Sequence, residues 1–87
     1  MTQAKYIIFD NNGLEMPVVF SPLFQHNQIA NGLHLPVLSA GFCATLSSET
    51  RADKPKWICW GESISLRIKS RESVDAEILN RYLEYDC

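Results

Sequence analysis

The sequence predicts an α+β domain: an antiparallel sheet of four to five strands with two helices, in the order β-β-α-β-β-(β)-α. Three observations carry this. Aromatic and β-branched runs near the start flank an Asn-Gly pair. Two later stretches place apolar residues at helical spacing behind serines that can cap a helix. Between them lie two more strand-like runs separated by a polar stretch. With 87 residues, a single domain over 1–87 is expected.

"AKYIIF" is aromatic and β-branched, and reads as a first strand. "DNNG" follows, and Asn12-Gly13 marks a tight hairpin because both residues tolerate positive φ. "LEMPVVF" then alternates, with Leu14, Met16, Val18 and Phe20 on one side. Closing the hairpin at Asn12-Gly13 pairs Phe9 with Met16 and Ile7 with Val18, which brings both apolar sets to one face. Pro17 has no N–H to give to a ladder, so this strand belongs at an edge.

"SPLFQHNQIANG" predicts a helix with Ser21 as cap, Pro22 at the first position and Gly32 at the end. Leu23, His26, Ile29, Ala30 and Leu33 share one stripe, and Phe24 lies off it. "VLSAGFCATL" is a third strand, with a bend or bulge expected at Gly41. "SSETRADKPK" is a polar loop and "WICWG" a fourth strand. "ESISLRIKS" alternates strictly and predicts a half-buried fifth strand, with a turn and an extended link as the alternative. A second helix is expected over about Ser73–Glu84, capped by Ser73 or Ser70. Its apolar side is Val74, Ile78, Leu79, Tyr82 and Leu83, with Asp75 and Glu77 near its positive end. The simplest burial of these stripes packs both helices on one face of the sheet.

Net charge is -2 and the isoelectric point about 5.5, so no global basic field draws the chain to a polyanion. "MTQAKYIIFD" has no apolar run behind a basic one, and no signal peptide is expected. No apolar run approaches the roughly 20 residues that span a bilayer. Three cysteines make an odd, widely spaced set, which suits free thiols in a reducing cytoplasm better than a disulfide scaffold.

Cys43 and Cys59 fall opposite one another if the loop near Arg51 closes a hairpin, which also sets Phe42 against Trp60 and Ala44 against Ile58. Zinc needs about four ligands, often at short paired spacings. Cys43, Cys59, His26 and His34 contain no such pair. The two thiols read as small buried apolar groups, a cross-strand disulfide being the other reading. No metal and no cofactor is expected. His26 sits in an apolar stripe, and no motif joins it to Asp10 or a cysteine as a nucleophilic site requires. No phosphate loop, dinucleotide fingerprint or nucleophile elbow is present.

Two surfaces carry the binding expectations. With both helices on one side, Tyr6, Ile8, Val19 and Trp57, beside the two cysteines, line an outer sheet face that alternates poorly with polar residues. Such an apolar patch predicts a protein partner or self-association as a homodimer; the alternative is that a loop or the second helix covers it, or that the helices lie on opposite faces. In "RIKSR", Arg67, Lys69 and Arg71 share one side if extended, which follows a nucleic-acid backbone or resists edge pairing.

"PVLSAGFC", "CWGESISL" and "SRESVDAEIL", in that order, resemble short uncharacterised proteins encoded by phages and prophages of proteobacteria. The resemblance covers most of the chain beyond residue 17. It implies an intracellular accessory protein rather than a metabolic enzyme, and it transfers no site residue. The expected function is a small, non-catalytic, cytoplasmic protein–protein interaction module. The alternative is a nucleic-acid-binding module using the 67–71 basic strip.

Overall fold

The computed structural model describes residues 3–46 and 56–83. β1 (Gln3–Asn11) and β2 (Leu14–Phe20) form the predicted hairpin, with Phe9 opposite Met16 and Ile7 opposite Val18. Asn12 at φ 57° and Gly13 at φ 89° supply the two positive angles of a type I′ turn. Asp10 Oδ1 accepts from the Gly13 N–H at 2.8 Å and fixes it.

β3 (Val37–Leu46) pairs with β1 on the side away from β2, and β4 (Lys56–Trp60) pairs with β3. The sheet is antiparallel throughout, in the order β2-β1-β3-β4. Phe42 faces Trp60, Cys43 faces Cys59 and Ala44 faces Ile58, as the hairpin reading expects. The polar loop lies outside the described residues from 47 to 55. The irregularity in β3 falls at Leu38, which has no partner between Ser39–Ile8 and Val37–Phe9. Gly41 stays in register. Its special demand is close approach: a Cβ there would lie 2.5 Å from the Trp60 carbonyl oxygen.

The predicted fifth strand is divided. β5 (Glu62–Ser63) and β6 (Ile68–Lys69) make a small hairpin of their own. Residues 64–67 turn between them, as the alternative reading allowed. Ser63 Oγ accepts from the Leu66 N–H at 3.2 Å, and Arg67 adopts φ 56°. A serine hydroxyl that serves the local backbone competes with a ladder, which is why alternation misleads here.

α1 (His26–Leu33) is shorter than expected. Ser21 caps a turn instead, its carbonyl taking the Phe24 N–H at 3.1 Å and its Oγ the Leu23 N–H at 3.2 Å. Lys5 Nζ donates to the Phe24 carbonyl at 2.9 Å and holds that turn out of the helix. Gln25 then caps α1 through a reciprocal pair with Gln28. Gly32 lies inside the helix, and the left-handed residue at its end is His34.

α2 (Glu72–Tyr82) starts one residue before the expected position. Ser70 Oγ accepts the Glu72 N–H at 3.0 Å. The main correction concerns the faces. α1 covers the side of the sheet that carries Ile7, Phe9 and Ala40, whereas α2 packs Ile78 and Leu79 on Tyr6, Ile8, Cys43 and Cys59. The helices therefore sandwich the sheet. The reason lies in β1, where Tyr6, Ile7, Ile8 and Phe9 are all fully buried. A central strand with a continuous apolar run needs cover on both faces. Burying one such side chain contributes about 1.5–3 kcal/mol, so leaving Tyr6 and Ile8 open would forfeit half of that strand's contribution.

Candidate binding groove

The expected outer binding face is the seat of α2. Tyr6 and Ile8 are buried beneath it, and Val19 and Trp57 pack at the margin of the same cluster. Asn80 completes the closure. Its Oδ1 accepts the Trp57 N–H at 2.7 Å, and its Nδ2 donates to the Trp57 carbonyl at 3.2 Å. One amide thus occupies the outward backbone groups of Trp57 on edge strand β4, as a neighbouring strand would. On the opposite edge, Pro17 in β2 has no N–H to offer.

Asp75 lies at the centre of the α2 face, fully buried. Four donors converge on its two oxygens. Oδ2 accepts from Tyr6 OH at 2.5 Å and the Arg71 N–H at 2.9 Å; Oδ1 accepts from Ser39 Oγ at 2.8 Å and Arg71 Nε at 3.0 Å. Arg71 also reaches Glu15 through a terminal nitrogen at 2.7 Å. The cluster ties α2 to β1, β2 and β3. Burial, then the bond to Asp75, raises the Tyr6 phenol far above its usual range. The phenol acts as a fixed donor. Ser39 and Tyr6 have no exposure, so this constellation holds the fold and offers no access to a substrate.

The basic strip is not continuous. Arg67 sits in the left-handed position of the 64–67 turn, Lys69 is exposed on β6, and Arg71 is committed to Asp75 and Glu15. The strip was read as extended, and the turn breaks that premise. His26, Asp10 and the cysteines are not assembled either. Cys43 and Cys59 lie under α2, Asp10 serves the β1–β2 turn, and His26 stands on the α1 side against Phe20. Among the described residues no group of three or more His, Cys, Asp or Glu is placed to hold a metal.

An open groove of about 480 Å³ lies on the α1 side, lined by Lys5, Gln25, His26, Phe42, Gly61, Glu62, Ile64 and Ser65. The start of α1 forms one wall and the 62–65 segment another. Ser65 Oγ accepts the Asn27 N–H at 3.3 Å and joins them. His26 stands edge-on to Phe20 and Phe42 and bonds through Nε2 to the Gly41 carbonyl at 2.9 Å. A carbonyl can only accept, so Nε2 carries the proton and Nδ1 of the neutral ring is an acceptor. Phe42 in turn stacks on Trp60 at 6.3 Å. Of the lining residues Ile64 is 84% exposed, and in the turn that leads into Gln25 Leu23 is 91% and Phe24 48% exposed.

Burial lowers the His26 pKa from its ordinary 6.5, with Lys5 adding to the effect, against the bond to Gly41. The folded chain therefore takes up this proton less readily than the unfolded chain, and stability rises with pH through the window. It is whole above 6.5 and declines as pH falls toward the lowered folded value. Urea unfolding should give a lower midpoint at about pH 5.5 than at about pH 7.5, with the difference reduced in His26→Gln. Equal pH sensitivity in that variant would assign the effect elsewhere.

The sequence reading missed the groove because it placed Leu23 on a helix stripe and Ile64 on a strand. Phe24 falling off the predicted stripe was a signal that the helix had not yet begun. Asp75 also had one: it shares helical spacing with Ile78, Leu79 and Tyr82, which puts it on the buried stripe. No helix among the described residues is long and apolar enough to cross a membrane. Comparison with protein-family models, curated proteins and solved structures finds no match to this chain.

Proposed function

We propose that the chain is a small, non-catalytic protein-binding module whose groove takes an extended apolar segment of a partner protein. One observation carries this reading. Ile64 lines the groove and is largely exposed, and the exposed Leu23 and Phe24 directly precede the lining residue Gln25, with the Phe24 carbonyl held by the lining residue Lys5, which is more apolar surface than a small ligand needs. Lys5 and Glu62 line the same groove and supply one charge of each sign to orient a peptide. The partner surface thus lies on the α1 side, since the opposite face carries α2. Buried free thiols suit a cytoplasmic setting, and the resemblance to short phage and prophage proteins agrees with an accessory role. The nucleic-acid alternative has less support, because Arg71 is withdrawn from its strip.

Selection from a displayed random-peptide library tests the reading. The wild-type chain should enrich peptides with spaced apolar residues, and the Leu23→Glu, Ile64→Glu double variant should lose them by at least about tenfold, or about 1.4 kcal/mol. Both positions are exposed, so the variant should keep its circular dichroism spectrum. No enrichment over the folded variant would refute a peptide groove here.

A further inference from the structure

We propose that Cys43 and Cys59 form a modification site: they close a cross-strand disulfide when a low-molecular-weight disulfide such as oxidised glutathione reaches them. The register sets the two residues directly opposite each other in β3 and β4. The bonds to Asn80 fix which kind of pair this is. The Trp57 N–H and carbonyl both point to Asn80, away from β3, so Trp57 and Thr45 are a non-hydrogen-bonded pair. Pair types alternate along an antiparallel ladder, so Cys43 and Cys59, two residues further on, are of the same type. Their Cα atoms then lie about 4.5 Å apart, inside the roughly 4.4–6.8 Å that a disulfide spans. Both side chains belong to the α2-facing cluster, so they project to the same side.

Cys59 keeps 7% exposure and Cys43 none, which orders the steps. Cys59 loses its proton, and its sulfur attacks one sulfur of oxidised glutathione, breaking that S–S bond and releasing one glutathione thiolate. Cys43 then loses its proton and attacks the Cys59 sulfur, expelling the second glutathione thiolate. Two protein thiols are oxidised, one glutathione disulfide is reduced, and the two protons end on the two glutathiones. Burial pushes both thiols up to about 12, and for Cys59 the nearby Cys43 and Asp75 add to this. Little thiolate exists at neutral pH, so the exchange is slow and quickens as the oxidant becomes abundant. Fifteen residues separate the two cysteines, and closing a loop of that size restricts the unfolded chain.

The full chain carrying Cys87→Ser, which removes the terminal thiol, is the test protein. Incubated folded across a series of oxidised-to-reduced glutathione ratios, it should yield a peptide linking Cys43 to Cys59 in a non-reducing mass map, two hydrogens lighter than the reduced pair. The oxidised form should melt higher, by about 10 °C. Cys43→Ser should trap a stable glutathione adduct on Cys59. Recovery of both thiols as free, alkylatable groups at the most oxidising ratio would overturn the proposal. So would a cross-link that forms only after unfolding by urea.

Discussion

Asp75→Ala is expected to destabilise the chain by about 3–5 kcal/mol, the range seen when one partner of a buried charged pair is removed. A chain of this length holds roughly 4–13 kcal/mol in all, so the variant stands at the edge of folding. The cost comes from what remains. Tyr6 OH, Ser39 Oγ and the Arg71 guanidinium and N–H would all lose an acceptor, and the first two have no route to water. Asp75→Asn should fall between wild type and Ala. All four partners donate, a carboxylate accepts at both oxygens, and an amide presents donors on one side. Tyr6→Phe removes the donor to Asp75 and the acceptor for the Ser70 hydroxyl, and should cost about 1.5–3 kcal/mol. Added to Asp75→Ala it should cost less than it does alone, because the Tyr6–Asp75 bond is already gone and only the bond to Ser70 remains to lose. Urea unfolding monitored by tryptophan fluorescence measures each step. A loss below about 1 kcal/mol in Asp75→Ala would show that the cluster does not anchor α2.

Gly41→Ala should destabilise by about 1–3 kcal/mol or more through overpacking. The new Cβ would stand 2.5 Å from the Trp60 carbonyl oxygen and 3.1 Å from Ser70 Cβ. The first is backbone in β4 and cannot rotate away. Relief requires β4 to shift, which separates Trp60 from Phe42 and disturbs a groove wall. Gly32→Ala supplies the contrast. It lies inside α1, with nothing within 4 Å of the added atom, and should stabilise by about 0.5–1 kcal/mol. Opposite signs for the same substitution would confirm that space around the backbone decides the outcome. A neutral Gly41→Ala would mean that β3 and β4 are less closely apposed at Trp60.

Much of the local structure was legible because its causes are local. Asn12-Gly13 dictates the tight turn, and the alternation of β1 and β2 then fixes their register. The pairing of Cys43 with Cys59 followed from matching apolar residues across β3 and β4. The start of α1 was misread because Ser21 and Pro22 suit a turn as well as a helix. The choice was made by Lys5, distant in sequence, which takes the Phe24 carbonyl. Serine hydroxyls likewise converted an alternating segment into the 64–67 turn. The groove was hidden for the same reason, since Leu23 and Ile64 change role once those turns form.

By itself the sequence determined the four main strands and two helices in their order, the registers of the β1–β2 and β3–β4 pairs and the presence of more apolar surface than one sheet face can hold. Only the tertiary structure decided where that surface goes. Periodicity tells which residues of a helix face inward, but not which side of a sheet the helix meets. That choice rests on contacts between elements far apart in the chain. Tyr6, Ser39 and Arg71 gather around Asp75 and bring α2 to one face. Phe20, Phe42 and His26 seat α1 on the other. With one face closed by α2, the most exposed large apolar side chains among the described residues are Leu23, just ahead of α1, and Ile64, in the groove wall.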